Sequence, residues 1–461
     1  MLLSRATTLS GGAGREKRLG GGAPVPAPGA GRGQGYAEPV TTTAAPTTDY
    51  PDRLRYGAIA ALAGTGFVYF TAETLPVGLL PQIASGLQVT PAQVGLLVTV
   101  YAAFAAAGAI PLTSLTLKVP RHVLIACLVA AYVVSQTAAA LAPTFLVLVI
   151  ARILTALAHG VFWSVMAPVA QRLGPRGQGG KAASLVMAGT TVGMVLGVPI
   201  TTLLGQAVGW RAAYGVLAGA GTVALVGVIV FLPKTPVTRA QAASSMRSQF
   251  SAVRRLLGSR AITLVCAVTT LGCLGHYAAY TFTAPIVERS GHISGSGLSL
   301  LLLGYGAMGL AATVVVGRIV DRRPGAALIG CFTAVVLALV TLSITRSTVV
   351  TVIAVLVWGA GFSSVPLIVQ QTAMRVAPQA RDSASAIRQS AAQIGISSGS
   401  LVGGAILAAG DVRFLAPFGA VVIGVFTIVV IANRWLFPLK QDPSLAPVTG
   451  EIGIIGAPHD A

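Results

Sequence analysis

The hydrophobic residues of the chain fall in twelve blocks of about 20 residues, separated by short breaks rich in Gly, Pro or charge. Because a helix needs about 20 apolar residues to cross the hydrocarbon of a bilayer, each block predicts one spanning helix. The first six predicted spans cover residues 56–80, 92–115, 122–141, 145–167, 182–204 and 212–232. The second six cover residues 261–287, 297–319, 326–344, 349–374, 383–408 and 415–437. The pattern predicts an all-α membrane protein with 12 transmembrane helices in two pseudo-symmetric six-helix bundles.

Composition agrees with this pattern, since 54% of the 461 residues are hydrophobic and only 9% are charged, whereas a soluble domain is about one quarter charged. Residues 1–54 are rich in Gly, Ala, Pro and Thr without apolar periodicity, and they predict a disordered cytoplasmic tail rather than a secretory signal. The predicted domains that follow are an N-terminal bundle, a cytoplasmic central loop, a C-terminal bundle and a cytoplasmic tail, at residues 55–232, 233–260, 261–437 and 438–461.

The basic residues give the predicted spans an orientation. With the N-terminus in the cytoplasm, 26 of the 31 Lys and Arg residues lie in the tails and loops of the cytoplasmic side, four lie on the opposite side, and Arg152 lies inside a span. This asymmetry satisfies the positive-inside rule for an even number of spans. It predicts a multi-pass protein of the bacterial inner (plasma) membrane with both termini cytoplasmic. The net charge of +19 is then a topology signal, and no nucleic-acid partner is expected, because no exposed basic domain carries interleaved aromatic residues.

Two segments match patterns of soluble enzymes. The segment GYGAMG at 304–309 spells a dinucleotide-binding fingerprint, and GISSG at 395–399 spells the nucleophile elbow of hydrolases. Both patterns require a preceding strand, whereas these segments lie inside apolar spans, so we interpret their small residues as helix-packing positions. The four cysteines lack the spacing of a zinc site or a disulfide framework, and neither a metal nor a cofactor is expected.

Glu73 is the one acidic residue that falls well inside a predicted span, and Arg152 is its basic counterpart in the fourth span. Each lies about seven residues, or roughly 10 Å, from the outer end of its helix. A charge in hydrocarbon is costly, so such residues usually face a cavity or a partner and mark a transport pathway. We predict that Glu73 and Arg152 form a proton-coupling pair. The alternative is that Glu73 extends to the outer interface or forms a static pair with Arg152.

Polar and aromatic residues extend this site along three spans. Helical spacing places Arg152, His159 and Trp163 near one stripe of the fourth span, and similar stripes occur on the seventh and tenth. Such stripes would be wasted against lipid and favour a cavity, although interfacial anchors and ordinary helix contacts are the alternative. The predicted substrate-cavity residues are His159, Trp163, His276, Tyr280 and Gln370.

A loop motif suggests that the two sets of six spans arose by duplication. Gly317, Asp321, Arg322 and Arg323 form a GxxxDRR turn between the eighth and ninth spans. The corresponding turn after the second span reads TSLTLKVPR, in which the basic charge persists and the acid is missing. Internal repeats in transporters give two halves with a binding site between them.

With these motifs the chain resembles the major facilitator superfamily, and within it the twelve-span drug:proton antiporter family with its sugar- and drug-efflux branch. GRIVDRRPG looks like the second-half copy of the family's loop motif, and VIARILTALAHG around Arg152 looks like its fourth-span motif. The segments ETLPVGLLPQIA around Glu73 and AHGVFWSVMAPVAQRL after Arg152 are similar to the efflux branch. In the fifth span, GTTVGMVLGVPITTLLG resembles the antiporter motif, with Val198 separating the usual Gly-Pro pair. The residues of this motif are Gly189, Gly193, Gly197 and Pro199.

The resemblance implies a role for each of these residues. Glu73 would be the coupling carboxylate, Arg152 its modulator, and the face of spans one, four, seven and ten the substrate cavity. Asp321 would act as a latch at the N-terminus of the fifth span, where the helix dipole favours an anion.

These observations predict a secondary transporter that exports a small drug-like or sugar-like molecule in exchange for protons. The alternative is a proton-coupled importer of a small metabolite such as a sugar or nucleobase. A channel would need rings of pore-lining groups, and an enzyme would need a catalytic constellation that the sequence does not present. The expected partners are the substrate, protons and the lipid bilayer, and the protein is expected to be a monomer.

Overall fold

The computed structural model describes residues 51–116, 118–175, 178–234, 251, 254–320, 322–378 and 381–440. All regular secondary structure in these ranges is helical. The predicted disordered tail up to residue 50, most of the predicted central loop and the predicted tail beyond residue 440 lie outside the described residues.

Twelve helical segments of the described residues are long and apolar enough to cross a membrane, and the predicted fold class is confirmed. Spans 1 to 6, here called the N-half, are Tyr56–Gly78, Pro91–Leu115, Arg121–Ala140, Phe145–Gln171, Lys181–Val208 and Trp210–Phe231. Spans 7 to 12, the C-half, are Arg260–Tyr280, Gly295–Ile319, Pro324–Ile344, Thr348–Val376, Arg381–Ala408 and Leu415–Ala432. Because spans alternate in direction, Tyr56 and Ala432 mark the same end of the molecule. We call this end the terminal face and the other end the opposite face.

Two spans are interrupted within the helix. Span 5 consists of helix Gly179–Val192, a π-helical turn at Gly193–Gly197 and helix Val198–Val208. Span 10 consists of helices Thr348–Ser363 and Val365–Val376, and Pro366 stands in the first turn of the second piece. Each interruption lies next to a proline, Pro199 in span 5 and Pro366 in span 10. Proline has no N–H and cannot donate the backbone hydrogen bond that would continue the previous helix.

Spans 1 and 7 are each followed by a short separate helix, and in span 7 the break falls inside the predicted range of residues 261–287. Span 1 ends at Gly78 and a short helix, Leu80–Leu87, follows; span 7 ends at Tyr280 before the short helix Thr283–Gly291. Pro81 and Pro285 lie in the first turns of these short helices, where the missing N–H of proline costs no hydrogen bond. The two halves thus repeat the same break at the same place in their first span.

Helix packing is also repeated between the halves. In the N-half, span 1 packs on spans 5 and 6, span 4 on spans 2 and 3, and span 3 on span 6. In the C-half, span 7 packs on spans 11 and 12, span 10 on spans 8 and 9, and span 9 on span 12. Adding six to each span number of the first set gives the second set, which is the pseudo-symmetry that the sequence predicts.

The halves meet along two seams, span 2 against span 11 and span 5 against span 8, which the same pseudo-symmetry exchanges. In the first seam Ser397 Oγ donates to the Thr99 carbonyl at 3.0 Å, and Ser400 Oγ donates to the Gly95 carbonyl at 3.0 Å. In the second, Gln206 Nε2 donates to the Gly295 carbonyl at 2.8 Å. These three hydrogen bonds lie toward the opposite face, where they hold the halves together.

Candidate functional site

Glu73 lies on span 1 where the two halves meet. Its side chain is only 12% exposed. Gln393 Nε2, from span 11 of the C-half, donates to Glu73 Oε1 at 3.1 Å, and His159 Nε2, from span 4, lies 3.9 Å from Glu73 Oε2. The carboxyl group is therefore contacted from both halves at once, and its surroundings must change when the halves move apart.

His159 is held in place by Tyr101 of span 2. The Tyr101 hydroxyl lies 2.7 Å from His159 Nδ1. If the hydroxyl donates to Nδ1, the neutral imidazole carries its hydrogen on Nε2, which is the nitrogen that faces Glu73. His159 is thus placed to exchange a hydrogen bond or a proton with the Glu73 carboxyl group after a small approach.

Arg152 reaches the backbone of span 1 instead of the Glu73 carboxylate. Its Nη1 donates to the Ala72 carbonyl, its Nη2 donates to the Glu73 carbonyl at 3.0 Å, and its guanidinium carbon lies 4.2 Å from the centre of the Tyr101 ring. In an α-helix the Ala72 carbonyl would accept from residue 76, but this residue is Pro76, which has no N–H. The proline therefore frees a carbonyl that the 99%-buried Arg152 occupies.

The sequence-predicted residues of the N-half are brought together. Glu73, Arg152 and His159 form one polar cluster, and the Trp163 ring lies against His159 with the ring centres 5.7 Å apart. Trp163 Nε1 and Gln393 Oε1 are buried without a hydrogen-bond partner among the described residues. Each of these two buried groups therefore lacks a partner that a bound water or substrate molecule could supply.

Two of the three predicted residues of the C-half, His276 and Tyr280, lie in a separate cluster. Trp358 Nε1 donates to His276 Nδ1 at 3.1 Å. The His276 ring stacks on the Phe362 ring and also on the Tyr280 ring, the latter with ring centres 4.9 Å apart. This aromatic cluster is almost wholly buried. Gln370 belongs to neither cluster, because its Nε2 donates to Ser385 Oγ on span 11.

The fifth-span motif packs along span 1. A Cβ added to Gly189, Gly193 or Gly197 would meet Ala63, Phe67 or Thr71 respectively, the last at its side chain and the others at their backbones. These glycines recur every four residues, so they form one face along which the two helices approach closely. Pro199 follows the π-helical turn Gly193–Gly197, and span 8 approaches the Val195 backbone of that turn at Gly306.

The two enzyme-like segments also lie in close helix contacts. A Cβ added to Gly309 would meet the Ser363 side chain of span 10, and one added to Gly395 or Gly399 would meet the backbone of span 7 at Thr270 or Leu274. The spacing that imitates a phosphate loop or a nucleophile elbow is therefore used to pack helices.

The predicted loop motif is described only in part. Asp321 lies outside the described residues, so its latch contact stays a prediction. Arg322 and Arg323 both donate their backbone N–H groups to the Ile319 carbonyl, and their side chains are exposed; Gly317 has open space around it. Among the described residues, no three His, Cys, Asp or Glu side chains form a group that could hold a metal ion.

Sequence reasoning missed Tyr101 and Gln393. Each is a neutral polar residue in the middle of an otherwise apolar span, and this was the available signal. Gln393 is separated from Glu73 by 320 positions, so its partner depends on how spans 1 and 11 face each other.

Solved structures share this architecture. The nucleoside transporter NupG superimposes with a TM-score of 0.67 at 15% identity, covering 81% of this chain and 99% of that chain. A D-xylose–proton symporter superimposes with a TM-score of 0.65 at 18% identity, covering 84% of this chain and 98% of that chain. At these identities the likeness concerns the fold.

Two relatives share a higher sequence identity with this chain than these solved structures do. The chain is 33% identical over 422 residues to a chloramphenicol efflux pump of Mycobacterium tuberculosis strain CDC 1551 / Oshkosh, and equally so to one of strain ATCC 25618 / H37Rv. Each match covers 89% of this chain and 99% of the relative. Residues 62–399 match the model of the Major Facilitator Superfamily. With twelve apolar spans in two repeated halves, this multi-pass membrane protein belongs to the Major Facilitator Superfamily, which confirms the predicted family.

Proposed function

We propose that the protein is a secondary transporter that exports small organic molecules in exchange for protons by alternating access. Glu73 carries the proton, Arg152 fixes the segment of span 1 that bears it, and the substrate binds between the halves beside Trp163 and the His276–Tyr280 cluster. In this proposal both termini are cytoplasmic, the protein works as a monomer, and the predicted domain boundaries hold.

The observation that carries the proposal is the position of the Glu73 carboxyl group. It is nearly buried, it receives a hydrogen bond from Gln393 of the C-half, and it faces His159 of the N-half. A carboxyl group whose contacts come from two moving bodies has different surroundings in different conformations, and the free energy of binding a proton changes with them. This is the property that proton coupling requires.

The efflux direction is supported by the sequence relatives, which are named chloramphenicol efflux pumps. The close approach of span 5 to span 1 along Gly189, Gly193 and Gly197 agrees with the antiporter-like motif. Chloramphenicol is therefore the first compound to test, and a sugar or a nucleobase tests the importer alternative.

The direction of coupling can be measured in proteoliposomes with an imposed pH gradient. Antiport predicts uptake of labelled chloramphenicol against its own gradient when the lumen is more acidic than the bath. Uptake that instead needs an alkaline lumen would establish symport and contradict the proposal. Equilibration without accumulation under either gradient would indicate a channel.

The coupling role of Glu73 is tested by Glu73→Gln. We expect this variant to lose uphill accumulation completely while it still exchanges substrate at equal concentrations on both sides, because the amide cannot carry a proton. The matched control is Glu288→Gln, which alters an exposed carboxylate outside the spans and should keep wild-type accumulation. Full uphill transport by Glu73→Gln would remove Glu73 from the mechanism.

A further inference from the structure

Three arginines converge on one pocket at the opposite face. Arg289 lies in the last turn of the short helix after span 7, Arg346 lies between spans 9 and 10, and Arg413 precedes span 12. Together with His292 and Asp411 they line a pocket of about 520 Å³. Three of the four basic residues that the sequence assigns to this side of the membrane are therefore gathered at one point.

The pocket carries excess positive charge. Asp411 is the one carboxylate among its lining residues, and its Oδ1 lies 3.7 Å from Arg413 Nε. Among the described residues, Arg289 donates to the Ser343 carbonyl at 3.5 Å and Arg346 to the Thr345 carbonyl at 3.2 Å, and neither forms an ion pair there. Burial, and after it the positive charges of Arg346 and Arg413, lower the pKa of Arg289. The three arginines and Asp411 together give the lining a formal charge of +2, which a bound anion would compensate.

An apolar groove adjoins this pocket. It has a volume of about 630 Å³ and runs between Ile406 of span 11 and Phe418 and Val421 of span 12. Asp411 lines both the groove and the basic pocket, so the two are adjacent. Val421 is 65% exposed, which in a membrane-spanning helix means that it faces lipid.

We propose that the pocket and the groove together bind one anionic phospholipid, with its phosphate among the three arginines and one acyl chain along the groove. A soluble anion would use the arginines and leave the groove uncovered. A zwitterionic lipid would bring its own ammonium group to a pocket that already has surplus positive charge, so an anionic headgroup fits better. The site lies away from Glu73 and does not depend on the proposed transport reaction.

Native mass spectrometry of the full chain in detergent tests this site with dioleoylphosphatidylglycerol and dioleoylphosphatidylcholine. The wild-type protein should retain phosphatidylglycerol in preference to phosphatidylcholine. The double variant Arg346→Gln/Arg413→Gln should bind phosphatidylglycerol about 25-fold more weakly, since each arginine near a membrane surface contributes roughly fivefold in affinity. Both side chains are exposed, so the variant should keep its fold.

Two further variants separate the parts of the site. Val421→Trp fills the groove without changing charge and should also weaken retention of phosphatidylglycerol. Arg434→Gln removes an exposed arginine at the other end of span 12 and is the matched control, with affinity at this site unchanged. In a parallel measurement, phosphatidylglycerol should raise the melting temperature of the wild type and of Arg434→Gln but not of the double variant.

Three results would overturn the proposal. The first is that the double variant binds phosphatidylglycerol as tightly as the wild type, and the second is that phosphatidylcholine binds as tightly as phosphatidylglycerol. The third is that inorganic phosphate displaces the lipid while Val421→Trp has no effect on binding, which would identify a site for a soluble anion.

Discussion

Pro76 and Arg152 form a complementary pair although they lie on different spans. The proline removes the N–H that would satisfy the Ala72 carbonyl, and Arg152 supplies two donors to the same stretch of span 1. A buried carbonyl without a partner costs about 1–3 kcal/mol. Arg152 therefore stabilises the helix next to Glu73 in addition to placing positive charge there.

This pairing predicts that two destabilising changes will partly cancel. Arg152→Ala should lower the free energy of unfolding by about 1–3 kcal/mol, because it leaves the Ala72 carbonyl without a donor. Pro76→Ala restores the N–H at position 76, so the double variant should be more stable than the sum of the single changes predicts. Equilibrium unfolding in a denaturing detergent measures the free energy of unfolding of the wild type, the two single variants and the double variant. Strict additivity would show that the proline and the arginine act independently.

The sequence identified Glu73, Arg152 and His159 because charged and titratable groups are rare inside apolar spans. It did not reveal that the Arg152 guanidinium binds backbone carbonyls, although the proline four residues after Ala72 was a readable signal. Gln393 and Tyr101 could not be selected from their types alone, since neutral polar residues occur throughout the spans. Their importance depends on which helices face each other.

Two glycine-lined helices position the first span of each half. Span 5 presents Gly189, Gly193 and Gly197 to span 1, and span 11 presents Gly395, Gly399 and Gly403 to span 7 in the same way. In both cases the missing side chains let backbones approach within van der Waals contact. The cluster around Glu73 is built on span 1, so its geometry depends on this packing.

We therefore expect Gly193→Leu to be harmful. A Cβ at this position would lie 2.9 Å from the Phe67 carbonyl oxygen, so span 1 and span 5 must separate. Overpacking of this kind typically costs about 1–3 kcal/mol, and we expect lower thermal stability together with loss of transport. The comparison is Gly219→Leu in span 6, where no atom lies within 4 Å of an added Cβ. Equal melting temperatures for the two variants would contradict the close packing of spans 1 and 5.

The spacing of the glycines predicted a close helix contact, but the partner span did not follow from it. One face of a helix can be recognised from its sequence, whereas the neighbour against that face is set by the arrangement of all twelve spans. The same limit applies to the breaks in spans 1 and 7, where continuous apolar blocks conceal short separate helices.

At the scale of the whole molecule, the two seams hold the halves together toward the opposite face. Alternating access requires that these seams open while others form. Thr99 and Ser397 lie on opposite sides of one seam and are joined by a 3.0 Å hydrogen bond. They provide a direct way to test whether the seam must open.

Cross-linking the seam should stop transport. In a background without the four native cysteines, Thr99→Cys/Ser397→Cys joined by a short bis-methanethiosulfonate, which forms a disulfide with each thiol, should abolish substrate exchange, and reduction of these disulfides should restore it. The control pair is Thr270→Cys/Ala391→Cys, which links spans 7 and 11 inside the C-half. Transport at the wild-type rate with the seam closed would show that the halves do not separate there.

Twelve spans, their alternating direction and the six-plus-six repeat could all be predicted, because hydrophobic length and charge asymmetry are properties of single segments. The two seams, and the face of the molecule at which they are closed, could not be predicted from the sequence. They depend on contacts between residues 89 to 305 positions apart, such as Gln206 with Gly295 and Ser400 with Gly95.

The hydrogen bond from Gln393 to Glu73 has a thermodynamic consequence for the whole molecule. It joins a titrating group on one half to a fixed donor on the other, so separation of the halves and binding of a proton cannot be independent equilibria. If protonation of Glu73 changes the equilibrium constant for separation of the halves by some factor, then separation of the halves changes the proton affinity of Glu73 by the same factor. In the proposed antiport cycle, this single side-chain contact makes the pH of either compartment a term in the balance between the two orientations of the transporter.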